Sequence, residues 1–149
     1  MPKPSKIVAE LVAMMPDPDK RGMYCENIDK EKIENAIAEI SMGGRKSIMG
    51  VINMLVEPGK GDDVKARYAL HCLGLHACNT KDEKALRRYG ATLASQIGGE
   101  RPAGVQEYLI QELQYFGGKE DAKALNGVMK HKKLAPAAAM AIAAIKGVG

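Results

Sequence analysis

One apolar stripe occurs three times in this chain, and few folds can use it. In the stretch VQEYLIQELQYFGG, Val105, Leu109, Ile110, Leu113 and Phe116 stand at offsets of zero, four, five, eight and eleven. The same offsets pick out Val64, Tyr68, Ala69, Cys72 and Leu75, and again Leu134, Ala138, Ala139, Ile142 and Ile145. Residues spaced in this way share one side of an α-helix. A helix with a single apolar stripe must bury it against another element, so a repeated stripe predicts stacked helices. Gly117–Gly118 predict the stop of the middle copy through the left-handed conformation open to glycine.

Composition narrows the class. Aromatic residues make up only 4 % of the chain, with no Trp and one Phe, while Met is plentiful at nine. A core of Leu, Ile, Val, Ala and Met suits packed helices better than a β-sandwich, which draws on aromatic and β-branched residues. At 149 residues the chain is long enough for one domain with a continuous core, and the expectation is a single all-α domain over 1–149.

The pattern predicts eight helices. Ser5–Met15 has Ser5 as its N-cap and Ile7, Val8, Leu11 and Met14/Met15 inward. Asp29 caps a helix to Met42 with Ile33, Ala36, Ile37 and Ile40 inward, and Arg45–Val56 follows with Ile48, Val51, Ile52 and Leu55. Asp62 or Asp63 starts Val64–Cys78, and Thr80 or Asp82 starts a helix to Ile97. The opening stretch follows, then Lys119–His131, then Leu134–Lys146 with Pro136 tolerated in its first turn. Between the first two helices, Pro16–Asn27 is the longest unpatterned run, and its role is left open.

Pairing these helices gives about four antiparallel hairpins, over 5–42, 45–78, 81–117 and 119–147. VQEYLIQELQYFG, VKARYALHCLGL and LAPAAAMAIAAIKG fit the second-helix shape of HEAT repeats, with ALRRYGATL and DAKALNGVM as first-helix counterparts. From Asp29 to Gly147 the chain resembles the HEAT and HEAT-like repeat family. Its spacing departs from the family, with matched starts 41 and then 29 residues apart. The resemblance implies a right-handed α-α superhelix, a solenoid, in which each hairpin closes its core only against its neighbours.

Candidate chemistry is sparse. His71, Cys72, His76 and Cys78 crowd one segment, and Cys72 and His76 share a helix face as a zinc pair would. Cys72, however, occupies the position of Leu113 and Ile142 in the sister copies, which predicts a core role, and no second ligand pair follows. The iron-binding His-Glu dipeptides of HEAT-like hydroxylases are absent from the sequence, and GKGDD lacks the Lys-Ser/Thr of a phosphate loop. No Ser-His-Asp arrangement is recognisable. The sequence therefore predicts a chain that is not an enzyme and takes no cofactor or metal. Three cysteines, Cys25, Cys72 and Cys78, match no disulfide framework and suggest reduced thiols in the cytoplasm. No run of 18 apolar residues and no hydrophobic leader is visible.

Net charge is +4 with a pI near 8.9, and basic and acidic residues are interleaved. That balance permits an anionic partner without arguing for one, and the expected partner, from the repeat architecture, is a protein or peptide. The alternative is a nucleic-acid-binding or repair-type HEAT-like module, with Lys84, Arg87, Arg88 and the Lys130–Lys133 run against phosphates. In the family the second helices line the concave surface, and the offsets opposite the stripe assign that surface here. They are Leu70 and Leu73 in one copy, Glu107, Gln111 and Gln114 in the next, and Met140 in the last. These six predict a groove with a polar middle and apolar walls for a helix or extended peptide. The nearly charge-free segment Pro136–Ile145 also suggests self-association.

Overall fold

The computed structural model describes residues 6–17 and 29–147. Ser5, Cys25 and most of Pro16–Asn27 lie outside the described residues. Among those described, the protein is all-α, with eight α-helices, one 3-10 turn and no strand. The helices are α1 (Lys6–Ala13), α2 (Lys30–Met42), α3 (Gly44–Ile52), α4 (Val64–Asn79), α5 (Glu83–Ala94), α6 (Ala103–Phe116), α7 (Ala122–Gly127) and α8 (Ala135–Gly147). The 3-10 turn, Lys119–Asp121, precedes α7.

Two compact units share the chain. The first comprises Met1–Leu55 with Asp63–His76, and the second Val56–Asp62 with Ala77–Gly149. In the first unit α1, α2 and α3 pack on one another. Ile33, Ala36, Ile37 and Ile40 of α2 are buried as their spacing predicts, as are Ile48, Val51 and Ile52 of α3. In α1, Val8, Leu11, Val12 and Met15 go inward, but Ile7 and Met14, expected beside them, are exposed. Eight residues give little more than two turns, and Val8, Leu11, Val12 and Met15 already fill the i, i+3, i+4 and i+7 positions of one face.

In the second unit α6 is the central element. It packs against α5 and α8, α7 packs against α8, and the 3-10 turn touches both α5 and α7. Val105, Leu109, Ile110, Leu113 and Phe116 are all buried, so the stripe of this copy is core. Each such side chain removed from water contributes about 1.5–3 kcal/mol. Phe116 meets the edge of Tyr89 with ring centroids 5.7 Å apart, an arrangement favoured by the ring quadrupoles.

Helix ends follow side-chain chemistry. Asp29 accepts the Lys32 N–H at 3.0 Å and Asp82 accepts the Ala85 N–H at 3.0 Å, each satisfying a donor that its helix leaves free. Asp63 opens α4, its carbonyl accepting the Arg67 N–H and its carboxylate the Arg67 Nε–H, both at 2.9 Å. The end of α6 differs from expectation. Gly117 is extended, with φ −74° and ψ 155°, and is not left-handed. Its glycine is needed for room: a Cβ would lie 2.7 Å from the Leu113 carbonyl oxygen and 3.2 Å from Ile145 Cδ1. Lys119–His131 is also shorter than its pattern, since α7 spans only Ala122–Gly127.

Candidate functional site

The six residues assigned to a recognition surface divide into two groups. Leu70 and Leu73 are core, at 0 % and 3 % exposure, and they offer nothing to a partner. The face of α4 that goes inward is Ala66, Ala69, Leu70, Leu73 and Ala77, while Leu75, aligned with Phe116, is 42 % exposed. Cys72, expected in the core, is half-buried. The physical reason lies in the polar residues. Lys65, His71 and His76 stand among the stripe positions of α4, whereas Ala66, Ala69, Leu70, Leu73 and Ala77 form the side free of polar side chains, and that side goes inward.

The other four residues fall on α6 and α8, two helices in direct contact within the second unit. On α6, Gln111 is exposed and Glu107 and Gln114 are half-buried. Glu107, Gln111 and Tyr115 succeed one another at four-residue steps, so they line one side of the helix. Tyr115 was missed by the sequence pattern, yet it is 67 % exposed. Its signal was available: it falls one residue short of the Phe116 stripe position, which turns it away from the core. Leu134, just before α8, and Ala138, Ala141 and Ile145 within it are buried, leaving Pro136, Ala139, Met140 and Ala143 on the open side. Met140 is 60 % exposed. One open helix face is thus polar with an aromatic, and the other is apolar and without charge.

Behind these faces lies a set of buried polar groups that no sequence pattern announced. Gln106 is buried and reaches back to the turn before α6. Its Oε1 accepts the Gly98 N–H at 2.8 Å, and its Nε2 donates to the carbonyls of Gly99 at 3.1 Å and Arg101 at 2.7 Å. Gly98 is left-handed, with φ +86°, which that turn requires and glycine supplies. Glu112, 3 % exposed, accepts the Tyr89 hydroxyl at 3.2 Å. Asp121, also 3 % exposed, accepts the Gly118 N–H at 2.9 Å and lies against Gly90 of α5, where a Cβ would meet its Oδ2 at 2.5 Å. Burial raises the Asp121 carboxyl pKa above its ordinary value, the Gly118 hydrogen bond opposes that rise, and nearby Glu120 adds to it.

Glu57 performs a similar task across the sequence. Its carboxylate accepts the Gly104 N–H at 3.0 Å, in the first turn of α6, and lies 3.4 Å from Lys133 Nζ. A carboxylate at that place is stabilised by the free N–H groups and the helix dipole.

A depression of about 630 Å³ lies along α1 and α2 of the first unit, between Leu11, Met14, Glu31, Glu39 and Met42, and none of the six assigned residues lines it. Among the described residues, no three His, Cys, Asp or Glu side chains come together as metal ligands, and no helix is long and apolar enough to cross a membrane. No protein-family model, curated protein or solved structure matches this chain.

Proposed function

We propose that this chain is a non-catalytic interaction module, a HEAT-like α-solenoid of about four antiparallel helix pairs that holds a partner protein or peptide without making or breaking a bond. The observation that carries this reading is the contact of α6 with α8, each backed by its own shorter helix, α5 and α7. That is the neighbour-on-neighbour packing of second helices a solenoid needs. The binding surface is then made of Glu107, Gln111, Gln114 and Tyr115 on α6 and Met140 with its small neighbours on α8. Leu70 and Leu73 do not belong to it, because they are buried.

The chemistry of these two faces suits a helix or extended peptide. Gln111 and Gln114 each bring an amide that donates and accepts, and Tyr115 brings a large ring with a hydroxyl at its tip. Met140 is flexible and polarizable, which lets an apolar wall adapt to its occupant. A second copy of this chain is one such occupant, seated along Pro136–Ile145. The cytoplasmic setting proposed from the cysteines accords with a module of this kind.

Site-specific photo-crosslinking tests the proposal. A photoreactive residue is placed at Gln111, at Met140, or at the exposed α5 residue Ala91 as control, and the adducts formed in native extract are identified by mass spectrometry. A partner joined at Gln111 and Met140 but not at Ala91 is the expected result, and an adduct at twice the chain mass identifies the partner as a second copy. Adducts that form only at Ala91 would overturn the reading.

A further inference from the structure

In the sequence, basic and acidic residues alternate; in the second unit four acids are engaged by the fold. Glu112 and Asp121 are buried, Asp82 caps α5, and Glu57 is divided between the α6 N-terminus and Lys133. Seven cations have no such task. On α5, Lys84, Arg87 and Arg88 are exposed and share the open side with Ala91. Lys119 and Lys123 are exposed on the 3-10 turn and α7. Lys130 and Lys132 are exposed in the turn that leads to α8. Among the described residues none of these seven makes an ion pair.

They sit on elements that touch. The 3-10 turn contacts α5 and α7, and Asp121 lies directly against Gly90. Arg87 is three residues from Gly90 and so occupies the flank of α5 beside that turn. The turn with Lys130 and Lys132 is held in shape by His131, whose Nδ1 accepts the N–H groups of Lys133 at 3.2 Å and Leu134 at 3.3 Å. On and beside these elements three exposed carboxylates, Asp82, Glu83 and Glu120, oppose the seven cations.

We infer that α5, the Lys119–Asp121 turn and the α7 region together form a phosphate-binding surface for duplex nucleic acid. It reads backbone and not sequence. Single-strand binders stack bases on aromatic rings, and this surface has no exposed aromatic. Membrane-surface helices bury Trp, Phe or Leu in the lipid boundary, and the large exposed apolar side chain here is Met129 alone. A duplex presents one charge per roughly 1.7 Å of axis, enough to engage cations spread over three elements. The inference stands apart from the protein-binding reading, since none of these cations lies on the open face of α6 or α8.

The test is fluorescence anisotropy of the full chain with a labelled random-sequence duplex of about 20 base pairs, at roughly 50 and 200 mM salt. With seven phosphate contacts, affinity falls by about 10³–10⁵ over that range. The variant K84E/R87E/R88E, checked for intact helicity by circular dichroism, lowers affinity at least about tenfold and flattens the salt slope by about 3. K30E/K32E/K46E makes the same change of net charge on exposed lysines of the first unit and leaves binding nearly unchanged. Equal losses in the two variants would assign the effect to net charge and overturn the surface. So would capture of phosphatidylserine vesicles or polyglutamate-type acidic peptide in place of the duplex.

Discussion

α4 and α6 are both long helices with apolar residues at the same offsets, yet they are buried in different ways. α4 turns inward a face of small residues and two leucines, Ala66, Ala69, Leu70, Leu73 and Ala77, with no polar group among them. α6 turns inward its bulky stripe together with Gln106 and Glu112. On α6 the polar residues Glu107, Gln111 and Gln114 leave one side fit for the core, so the register is forced. On α4 the matching offsets stand among Lys65, His71 and His76, and the side without polar residues goes inward instead. The lesson is that matching offsets mark a buried face only where no side freer of polar residues competes with them.

Alanine substitutions on α4 break or sharpen that contrast most strongly. Leu70→Ala removes a fully buried side chain and costs about 2–5 kcal/mol of stability. Leu75→Ala, at an exposed position, changes stability by less than about 0.5 kcal/mol. Urea denaturation of the two variants measures both. If the order is reversed, with Leu75 costly and Leu70 silent, α4 buries the side its offsets assign and differs from α6 in nothing.

The same contrast explains what was legible. Helix positions were, because capping aspartates at 29 and 82 and the stripes of α2, α3 and α6 are local properties of the chain. The open side of α6 was legible for the same reason, and Met140 of α8 is exposed as its offset predicts, but Ala139, a stripe position, is exposed and Ala141 is buried in its place. The burial of Leu70 and Leu73 is missed when the offsets of α6 are carried onto α4, although Ala66, Ala69, Leu70, Leu73 and Ala77 are themselves spaced as one helix face. Buried Gln106, Glu112 and Asp121 look in sequence like ordinary surface residues. Only the return of the chain, at Gly98, Tyr89 and Gly90, shows why each is inside.

The polar side of the contrast is tested by pH. Burial raises the folded-state pKa of Asp121 above the ordinary 3.8, so the fold favours the neutral acid. Its contribution is therefore fully present below the unfolded-state value and is lost as pH rises through the raised one. Asp121→Asn does not titrate, and its amide oxygen still accepts the Gly118 N–H. Denaturant unfolding of wild type and D121N across the acid-to-neutral range isolates this group from the other carboxylates. The expected outcome is that wild type loses stability relative to the variant as pH rises. A difference that grows in favour of wild type would mean that the Gly118 hydrogen bond outweighs desolvation, and that this buried acid stabilises the fold in its charged form.

The helix ends differ as well, and there the expected effect is smallest. α6 stops at Gly117, where an added Cβ has no space but φ is ordinary. α4 ends at Asn79, and in the turn that follows Lys81 has φ +55°, the one positive value at a non-glycine among the described residues. The turn is otherwise well made: the Lys81 N–H donates to the Cys78 carbonyl at 3.1 Å, and Asp82 then caps α5. A left-handed conformation costs an L-residue about 1–2 kcal/mol, whereas glycine takes it freely. Glycine also gains freedom in the unfolded chain, which offsets part of the relief. Lys81→Gly therefore raises stability by up to about 1 kcal/mol, read as a shift in the urea midpoint at constant slope. No gain, or a loss, would mean that the unfolded-state entropy cancels the strain at this turn. A gain would separate the two helix ends by cause, with α6 ended by lack of room and α4 followed by a backbone angle that its own residue resists.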